Sequence, residues 1–155
     1  MSKSLKRVRA ALEAAGLPAD IREVGQARTA AEAAASVDCA LDQICKSIIF
    51  RGVESGAALL FLTAGGNQVD GTRAAELAKE PLDRADADLI RAQTGFAIGG
   101  VAPLGHINPI RAWLDPRLLE FDVVWAAAGT PRHVFPLDPK ALPQLTGAVV
   151  AGFTA

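Results

Sequence analysis

Ile44-Cys45-Lys46-Ser47-Ile48-Ile49-Phe50 is an apolar run rich in β-branched residues, which predicts a buried strand. Alternate side chains of a strand share a face, so Lys46 is predicted to lie with Ile44, Ile48 and Phe50. An ammonium in that setting must reach water, find an anionic partner or lose its charge. Lys46 is therefore the first candidate for a functional residue. It either extends its charged head to the rim of the sheet or serves as a fixed cation in a cleft for an anionic or ester-bearing ligand.

The segments around this strand predict a mixed sheet with helices. A second apolar strand over 57–63 follows Glu54-Ser55-Gly56, which predicts a hairpin. Helical periodicity and capping residues predict helices over 3–15, 29–36, 70–78, 86–94 and 138–145. Further short strands are expected at 21–24, 96–98, 111–114, 122–127, 133–137 and 149–150. Hairpins mixed with helices indicate an α/β fold with a mixed sheet in a single domain, residues 1–155.

Composition and charge narrow the functional class. The chain has 155 residues and a net charge of −1, so any contact with nucleic acid must come from a local basic patch. No apolar stretch approaches the length of a membrane span, so no membrane partner is expected. Cys39 and Cys45 lack zinc-like spacing and indicate reduced thiols in a cytoplasmic protein. The basic residues of the first predicted helix form either a solvated face or a contact for phosphates.

The second candidate feature is the glycine-rich segment Gly99-Gly100-Val101-Ala102-Pro103-Leu104-Gly105-His106. It has neither the dinucleotide fingerprint nor a Walker loop. Glycines let backbone N–H groups approach a ligand closely, and such donors can hold an ester carbonyl and the oxyanion formed on attack. An irregular connection with positive-φ glycines is the alternative. No G-x-S-x-G elbow is present and no cysteine neighbours a histidine, so a protein nucleophile is not indicated.

Three stretches of this chain resemble the YbaK/ProX family of aminoacyl-tRNA deacylases, which is related to the editing insertion of bacterial prolyl-tRNA synthetases. They are Asp42–Phe50, Gly99–Gly105, and the end from Trp125-Ala126-Ala127-Ala128-Gly129-Thr130 to Val149-Val150-Ala151. The resemblance implies an α/β fold with a mixed, partly barrel-like sheet flanked by helices. It also implies hydrolysis, by water, of the ester that joins a wrong amino acid to the 3′ end of tRNA. Family members mostly act on tRNA(Pro) carrying alanine, cysteine or another small residue.

The resemblance also implies a set of site residues. Lys46 matches the family lysine that helps to hold the tRNA 3′ end, and Gly99 to Pro103 matches the family's G-x-x-x-P loop, which would seat the aminoacyl carbonyl. We therefore expect catalytic roles for Lys46, Gly99 and Gly100. The expected substrate-binding residues are Ile44, Ile48, Phe50, Val101, Ala102, Pro103, Gly105 and His106, with Leu104 as a further apolar wall. No metal or cofactor is expected. The expected partner is the acceptor end of tRNA, and prolyl-tRNA synthetase is a candidate second partner.

Two other functions remain open at this point. The same fold could be a non-catalytic tRNA- or nucleotide-binding module, in which Lys46 and the first helix only bind phosphates. Salt-dependent binding of tRNA without turnover would indicate this module. Alternatively, the chain could be an esterase or amidase for an unrelated small acyl substrate. Activity on free aminoacyl esters would indicate that class.

Overall fold

The secondary structure alternates short helices with strands of one sheet. A computed structural model describes residues 2–25 and 27–155. Within them, the α-helices are α1 (Lys3–Ala14), α2 (Ala30–Val37), α3 (Gly71–Ala78), α4 (Ala87–Thr94) and α5 (Leu142–Thr146). The strands are β1 (Arg22–Glu23), β2 (Ile44–Gly52), β3 (Ala58–Ala64), β4 (Leu82–Arg84), β5 (Arg111–Leu114), β6 (Val124–Ala127), β7 (His133–Leu137) and β8 (Val149–Val150). Short 3-10 helices cover Leu41–Gln43, Pro116–Glu120 and Pro139–Ala141.

The β2–β3 hairpin forms the centre of the sheet. Its antiparallel ladder runs from Cys45 opposite Ala64 to Arg51 opposite Ala58. The strand order is β1-β7-β6-β2-β3-β5-β8, with β4 paired to β2 off this path. The β2–β6, β3–β5 and β5–β8 pairs are parallel and the others are antiparallel. The predicted α/β class with a mixed sheet is therefore confirmed.

Both faces of β3 are covered, which explains why all seven of its residues are buried. Leu60 and Leu62 belong to the main core, which α1 covers with Val8 and Leu12. Phe61 points the other way and stacks on Trp113, with ring centroids 4.8 Å apart. A strand with apolar residues in every position is expected where a sheet is buried on both sides. This strand therefore anchors β2, its neighbour, in a fixed position.

The ladder on the other edge of β2 is interrupted. There, β6 pairs with Ile44 and Cys45, and β4 pairs with Phe50 to Gly52. Residues 46–49 have no strand partner on this edge within the described chain. The Gly52 N–H donates to Ala57 O. The backbone N–H and C=O groups of the even-numbered residues of β2 therefore bond to β3, and those of the odd-numbered residues point towards the gap. The interruption leaves room for a cavity beside Ser47 and Ile49.

Sequence capping signals located the starts of α2, α3 and α4 correctly, whereas the helix expected over 138–145 is a 3-10 helix over Pro139–Ala141 followed by α5. Thr29 Oγ1 accepts from Glu32 N, Asp70 Oδ1 from Thr72 N, and Asp86 Oδ1 from Leu89 N, as expected for N-caps. Gly95 ends α4 at φ +83°, in the left-handed region that glycine adopts without strain. No helix in residues 2–25 or 27–155 combines the length and apolar character that a membrane crossing requires.

Two sequence expectations about strands were wrong. Residues 96–98 form a bend and turn, because the fully buried Phe96 anchors the chain as a single side chain while Ile98 is exposed. Leu82–Arg84 was not predicted as a strand, yet it forms β4. Its sequence has one apolar residue, so its strand conformation depends on pairing with β2, which a local pattern does not reveal.

Candidate functional site

A cavity of about 460 Å³ lies at the interruption in the β2 ladder, a size typical of ligand pockets. Residues from both faces of β2 line it, together with the start of α2, the glycine-rich segment and the β6–β7 hairpin. The lining consists of Ala27, Arg28, Thr29, Ala30, Ala33, Ile44, Cys45, Lys46, Ser47, Ile48, Ile49, Arg84, Ala85, Ile90, Ile98, Gly99, Val101, Trp125, Ala126, Ala127, Thr130, Pro131, His133 and Val134. Lys46 and Gly99, 53 positions apart in the sequence, thus border the same space.

Lys46 is a half-buried cation with a defined acceptor. Its Nζ donates to the backbone oxygen of Asn67 at 2.7 Å. Burial lowers the pKa of this ammonium, while the nearby carboxylates of Asp115 and Asp42 oppose that shift. Lys46 therefore lines a cavity and has carboxylates nearby, as expected for an ammonium on an apolar strand face that finds an anionic partner. Its ammonium is held by the Asn67 carbonyl, and the charges of Asp115 and Asp42 favour its protonated form.

Asp115 and Asp42 also fix the turn that carries the Lys46 acceptor. Asp115 is 2% exposed, and its Oδ2 accepts from Ala64 N at 3.1 Å and from Asn67 Nδ2 at 2.9 Å. Asp42 Oδ1 accepts from Gly66 N at 2.8 Å. The Asp42 Oδ2 accepts from Arg117 Nε at 2.9 Å, and this hydrogen bond is the main cause of a lowered pKa for that carboxyl. Asp115 and Asp42 thus both stabilise the turn whose Asn67 carbonyl accepts from the Lys46 ammonium.

The replacement Asp115→Asn is expected to lower the pKa of Lys46 further. The amide keeps the shape of the side chain but removes one of the two carboxylates that stabilise the charged ammonium. The Asp42–Arg117 pair remains, so the loss is partial. Heteronuclear NMR titration of the lysine side chains measures this directly, with Lys140, an exposed lysine, as the internal reference. An unchanged or raised Lys46 pKa would contradict the proposed electrostatic role of Asp115.

The glycine-rich segment contributes to the cavity through Gly99 and Val101. Gly99 has φ +86°, and its N–H has no acceptor among the described residues. Gly100 behaves differently, since its N–H donates to Ala97 O at 3.0 Å. The expected donor role of Gly100 towards a substrate is therefore corrected, because the turn itself already uses that group. Gly100 instead permits close packing, because an added Cβ would lie 2.7 Å from Thr130 Cα.

Several residues expected to bind substrate lie outside the cavity lining. They are Phe50, Ala102, Pro103, Leu104, Gly105 and His106. Phe50 lies at the end of β2 that pairs with β4, and its ring packs edge-on to Phe61 at 5.8 Å. His106 donates from Nε2 to Ala102 O at 2.7 Å, and burial lowers its pKa. A half-buried histidine bonded in this way supports the loop backbone.

Cys45 lines the cavity but is not activated as a nucleophile. It is 3% exposed, and burial raises the pKa of its thiol to about 12. At pH 8, about one molecule in ten thousand would carry the thiolate that attacks electrophiles. We expect iodoacetamide to label Cys45 on the order of a thousandfold more slowly in the native protein than after denaturation. Peptide mass spectrometry measures both rates, and rapid native labelling would contradict this assignment.

Sequence reasoning missed the lining residues that come from other elements. Ser47 lines the cavity, and its Oγ is buried without a hydrogen-bond partner in the described chain. His133 lies on β7, where its Nδ1 is 2.6 Å from Thr130 Oγ1 and its Nε2 is 3.8 Å from Glu23 Oε2. Trp125, Arg28 and Arg84 are also lining residues that were not among the predicted site residues. The stretch that begins at Trp125 was noted for its family resemblance, but its place at the site follows only from the β2–β6 pairing, which sets Trp125 beside Ile44.

A comparison with protein families matches this arrangement to a known domain. The model of the aminoacyl-tRNA editing domain matches residues 24–145, which include every strand from β2 to β7. The chain belongs to this family. The matched range of this editing domain contains Lys46, Gly99 and all the other residues that line the cavity.

Individual relatives of the editing domain agree in fold. A crystal structure of a proposed trans-editing enzyme for prolyl-tRNA synthetase shares 45% identity, with a TM-score of 0.92 over 100% of this chain and 99% of that one. The crystal structure of the hypothetical protein APE2540 shares 28% identity, with a TM-score of 0.87 over 96% and 99% of the two chains. The uncharacterized protein YwhH of Bacillus subtilis (strain 168) is 30% identical over 118 residues, or 76% of this chain and 74% of YwhH.

Within residues 2–25 and 27–155, no group of three or more His, Cys, Asp or Glu side chains has an arrangement that could hold a metal ion. The polar groups at the cavity are instead an ammonium, guanidinium groups, hydroxyls and backbone amides. This donor set suits a ligand with anionic and carbonyl oxygens.

Proposed function

We propose that this editing domain is a free-standing hydrolase that deacylates mischarged tRNA, in particular tRNA(Pro) carrying a small wrong amino acid such as cysteine or alanine. The observation that carries the proposal is that Lys46 and Gly99, whose N–H has no acceptor among the described residues, line one largely apolar cavity. A cation suits the RNA end, an amide donor suits the ester carbonyl, and apolar walls suit a short side chain. Family membership supports the same activity.

The reaction needs little from the protein because an aminoacyl ester is already activated. Water attacks the carbonyl carbon, and the carbonyl oxygen gains negative charge as the tetrahedral intermediate forms. In this proposal the Gly99 N–H donates to that oxygen, where a donor stabilises the transition state more than the ground state. The C–O bond to the ribose then breaks, and the ribose oxygen takes the proton that water loses. The products are the free amino acid and tRNA with an intact 3′ terminus.

The apolar lining explains why a hydrolytic site is useful in addition to the pocket that first selects the amino acid. Small amino acids differ by about a methylene group, which gives a binding pocket only about 1–3 kcal/mol of discrimination. A hydrolytic cavity that admits the smaller side chain adds a second selection step. Ile44, Ile48 and Val101 are the proposed walls for that side chain.

Deacylation of a panel of mischarged tRNAs tests this function. Purified protein at micromolar concentration is incubated with tRNA(Pro) carrying alanine, cysteine, serine or proline, and the remaining ester is measured over time. We expect hydrolysis of at least one small non-cognate ester and protection of Pro-tRNA(Pro). Intact esters throughout, together with salt-dependent tRNA binding, would instead indicate a binding module. Equal turnover of free aminoacyl esters and aminoacyl-tRNA would indicate a small-molecule esterase.

A further inference from the structure

The charged side chains that line the cavity all have the same sign. Arg28, Lys46 and Arg84 line it, and no described lining residue is a carboxylate. The chain as a whole is slightly acidic, with 17 Asp and Glu against 16 Lys and Arg. The cavity is therefore a local concentration of positive charge on a protein that has no global attraction for anions.

The two arginines differ from Lys46 in exposure and in bonding. Both are exposed, so they lie where the cavity meets solvent. Neither guanidinium makes an ion pair, a hydrogen bond or an aromatic contact within the described residues. By contrast, the guanidinium groups of Arg7, Arg22, Arg51, Arg73, Arg111 and Arg117 all contact protein groups. Arg28 and Arg84 are therefore available to a ligand.

We propose that Arg28 and Arg84 form a phosphate-binding rim that holds the sugar-phosphate backbone of the single-stranded 3′ end of the RNA. This inference rests on the proposed function. The amino acid of the substrate carries a cationic α-ammonium, which two arginines would repel, so their ligand must be another part of the same molecule. The nearest anions are the phosphodiesters that join the terminal adenosine to the nucleotides before it. Guanidinium groups match phosphate oxygens in a bidentate geometry.

A third arginine extends the rim. Arg132 is exposed and lies between Pro131 and His133, which both line the cavity. Its side chain also has no partner among the described residues. A strand of RNA that leaves the cavity past the β6–β7 hairpin would meet this charge after the first two. The rim thus fits a continuous chain of phosphates better than it fits a single small anion.

Comparing two substrates tests the rim. The double variant Arg28→Ala/Arg84→Ala is expected to lower kcat/KM for aminoacyl-tRNA about tenfold or more, mainly through KM. The loss should be clearly smaller for aminoacyl-adenosine, which carries the same ester and no phosphate. Arg84→Lys should retain part of the tRNA activity, because it keeps the charge without the bidentate geometry. An equal loss on both substrates would overturn the proposal, since the arginines would then act on the ester end.

The salt dependence of RNA binding provides a test that is independent of turnover. The probe is a fluorescent single-stranded RNA ending in CCA, followed by anisotropy. For single strands, each lost phosphate contact should reduce the slope of log K against log salt by about 0.7. The matched control Arg91→Ala/Lys140→Ala removes the same charge from exposed positions outside the lining and should keep the wild-type slope. Equal slopes in both double variants would overturn the proposal.

The two tests also separate failure of the rim from failure of the proposed function. If wild-type protein hydrolyses neither substrate, the deacylase assignment fails, and the anisotropy slopes alone decide whether the rim exists. If wild-type protein hydrolyses aminoacyl-tRNA and the arginine variant does so equally well, the function stands and the rim is refuted.

Discussion

Lys46→Ala is expected to lower kcat/KM for deacylation of aminoacyl-tRNA by at least about a hundredfold while the protein stays folded. Lys46 lines the cavity and supplies its fixed cation, and removing one preorganised electrostatic group from a catalytic site typically costs a factor of about 10² to 10³. The free energy of unfolding should fall by only about 0.5–1.5 kcal/mol, since the fold loses one hydrogen bond, that to Asn67 O. Single-turnover kinetics and urea unfolding measure the two effects.

The pH profile and a control variant make this prediction specific. Only the protonated ammonium can act as the cation, and burial lowers its pKa. Wild-type activity should therefore fall as pH rises through a value below the ordinary pKa of lysine. Asp115→Asn removes a carboxylate that raises the pKa of Lys46, so it should shift this fall in activity to lower pH. Lys140→Ala, at an exposed position, serves as the charge-matched control and should behave as wild type. Wild-type kinetics in Lys46→Ala would refute the assigned role.

Local sequence patterns were sufficient for the parts of the fold that local chemistry determines. The apolar run at 44–50 predicted β2, and the expected position of Lys46 between Ile44 and Ile48 follows from strand alternation alone. Asp70 and Asp86 marked helix starts because their side chains accept hydrogen bonds from backbone groups two or three residues away. Both partners of each of these hydrogen bonds lie within a few residues of each other, so a short window of sequence is enough to predict them.

The shape of the cavity could not be predicted in the same way. It exists because β6 and β4 pair with opposite ends of β2 and leave residues 46–49 without a partner on that edge. Arg84 reaches the site through β4, a strand with one apolar residue, and Arg28 through the loop before α2. Their proximity depends on strand order, which is a long-range property. The glycine-rich segment was singled out from the sequence, and its Gly99 and Val101 line the cavity, but only coordinates separate the free N–H of Gly99 from the bonded N–H of Gly100.

Gly100→Ala is expected to impair both stability and activity. Gly100 is buried, and an added Cβ would lie 2.7–2.9 Å from the backbone N, Cα and C atoms of Thr130. Backbone atoms cannot rotate away as a side chain can, so the loop and the β6–β7 hairpin must separate. Overpacking of this kind typically costs about 1–3 kcal/mol. Gly99 and Thr130 line the cavity on the two sides of this contact, so we also expect at least a tenfold loss of kcat/KM.

Gly71→Ala is the matched control, because its added Cβ would meet no atom within 4 Å and it lies at the first residue of α3. Alanine is at least as favourable as glycine in a helix, so stability should be unchanged or slightly increased. Neither glycine has a positive φ, so steric contact is the main difference between the two substitutions. If Gly100→Ala were as stable and as active as Gly71→Ala, the contact with Thr130 would not determine the cavity. Reduced stability with full activity would mean that the contact between Gly100 and Thr130 supports the fold and is not part of the catalytic geometry.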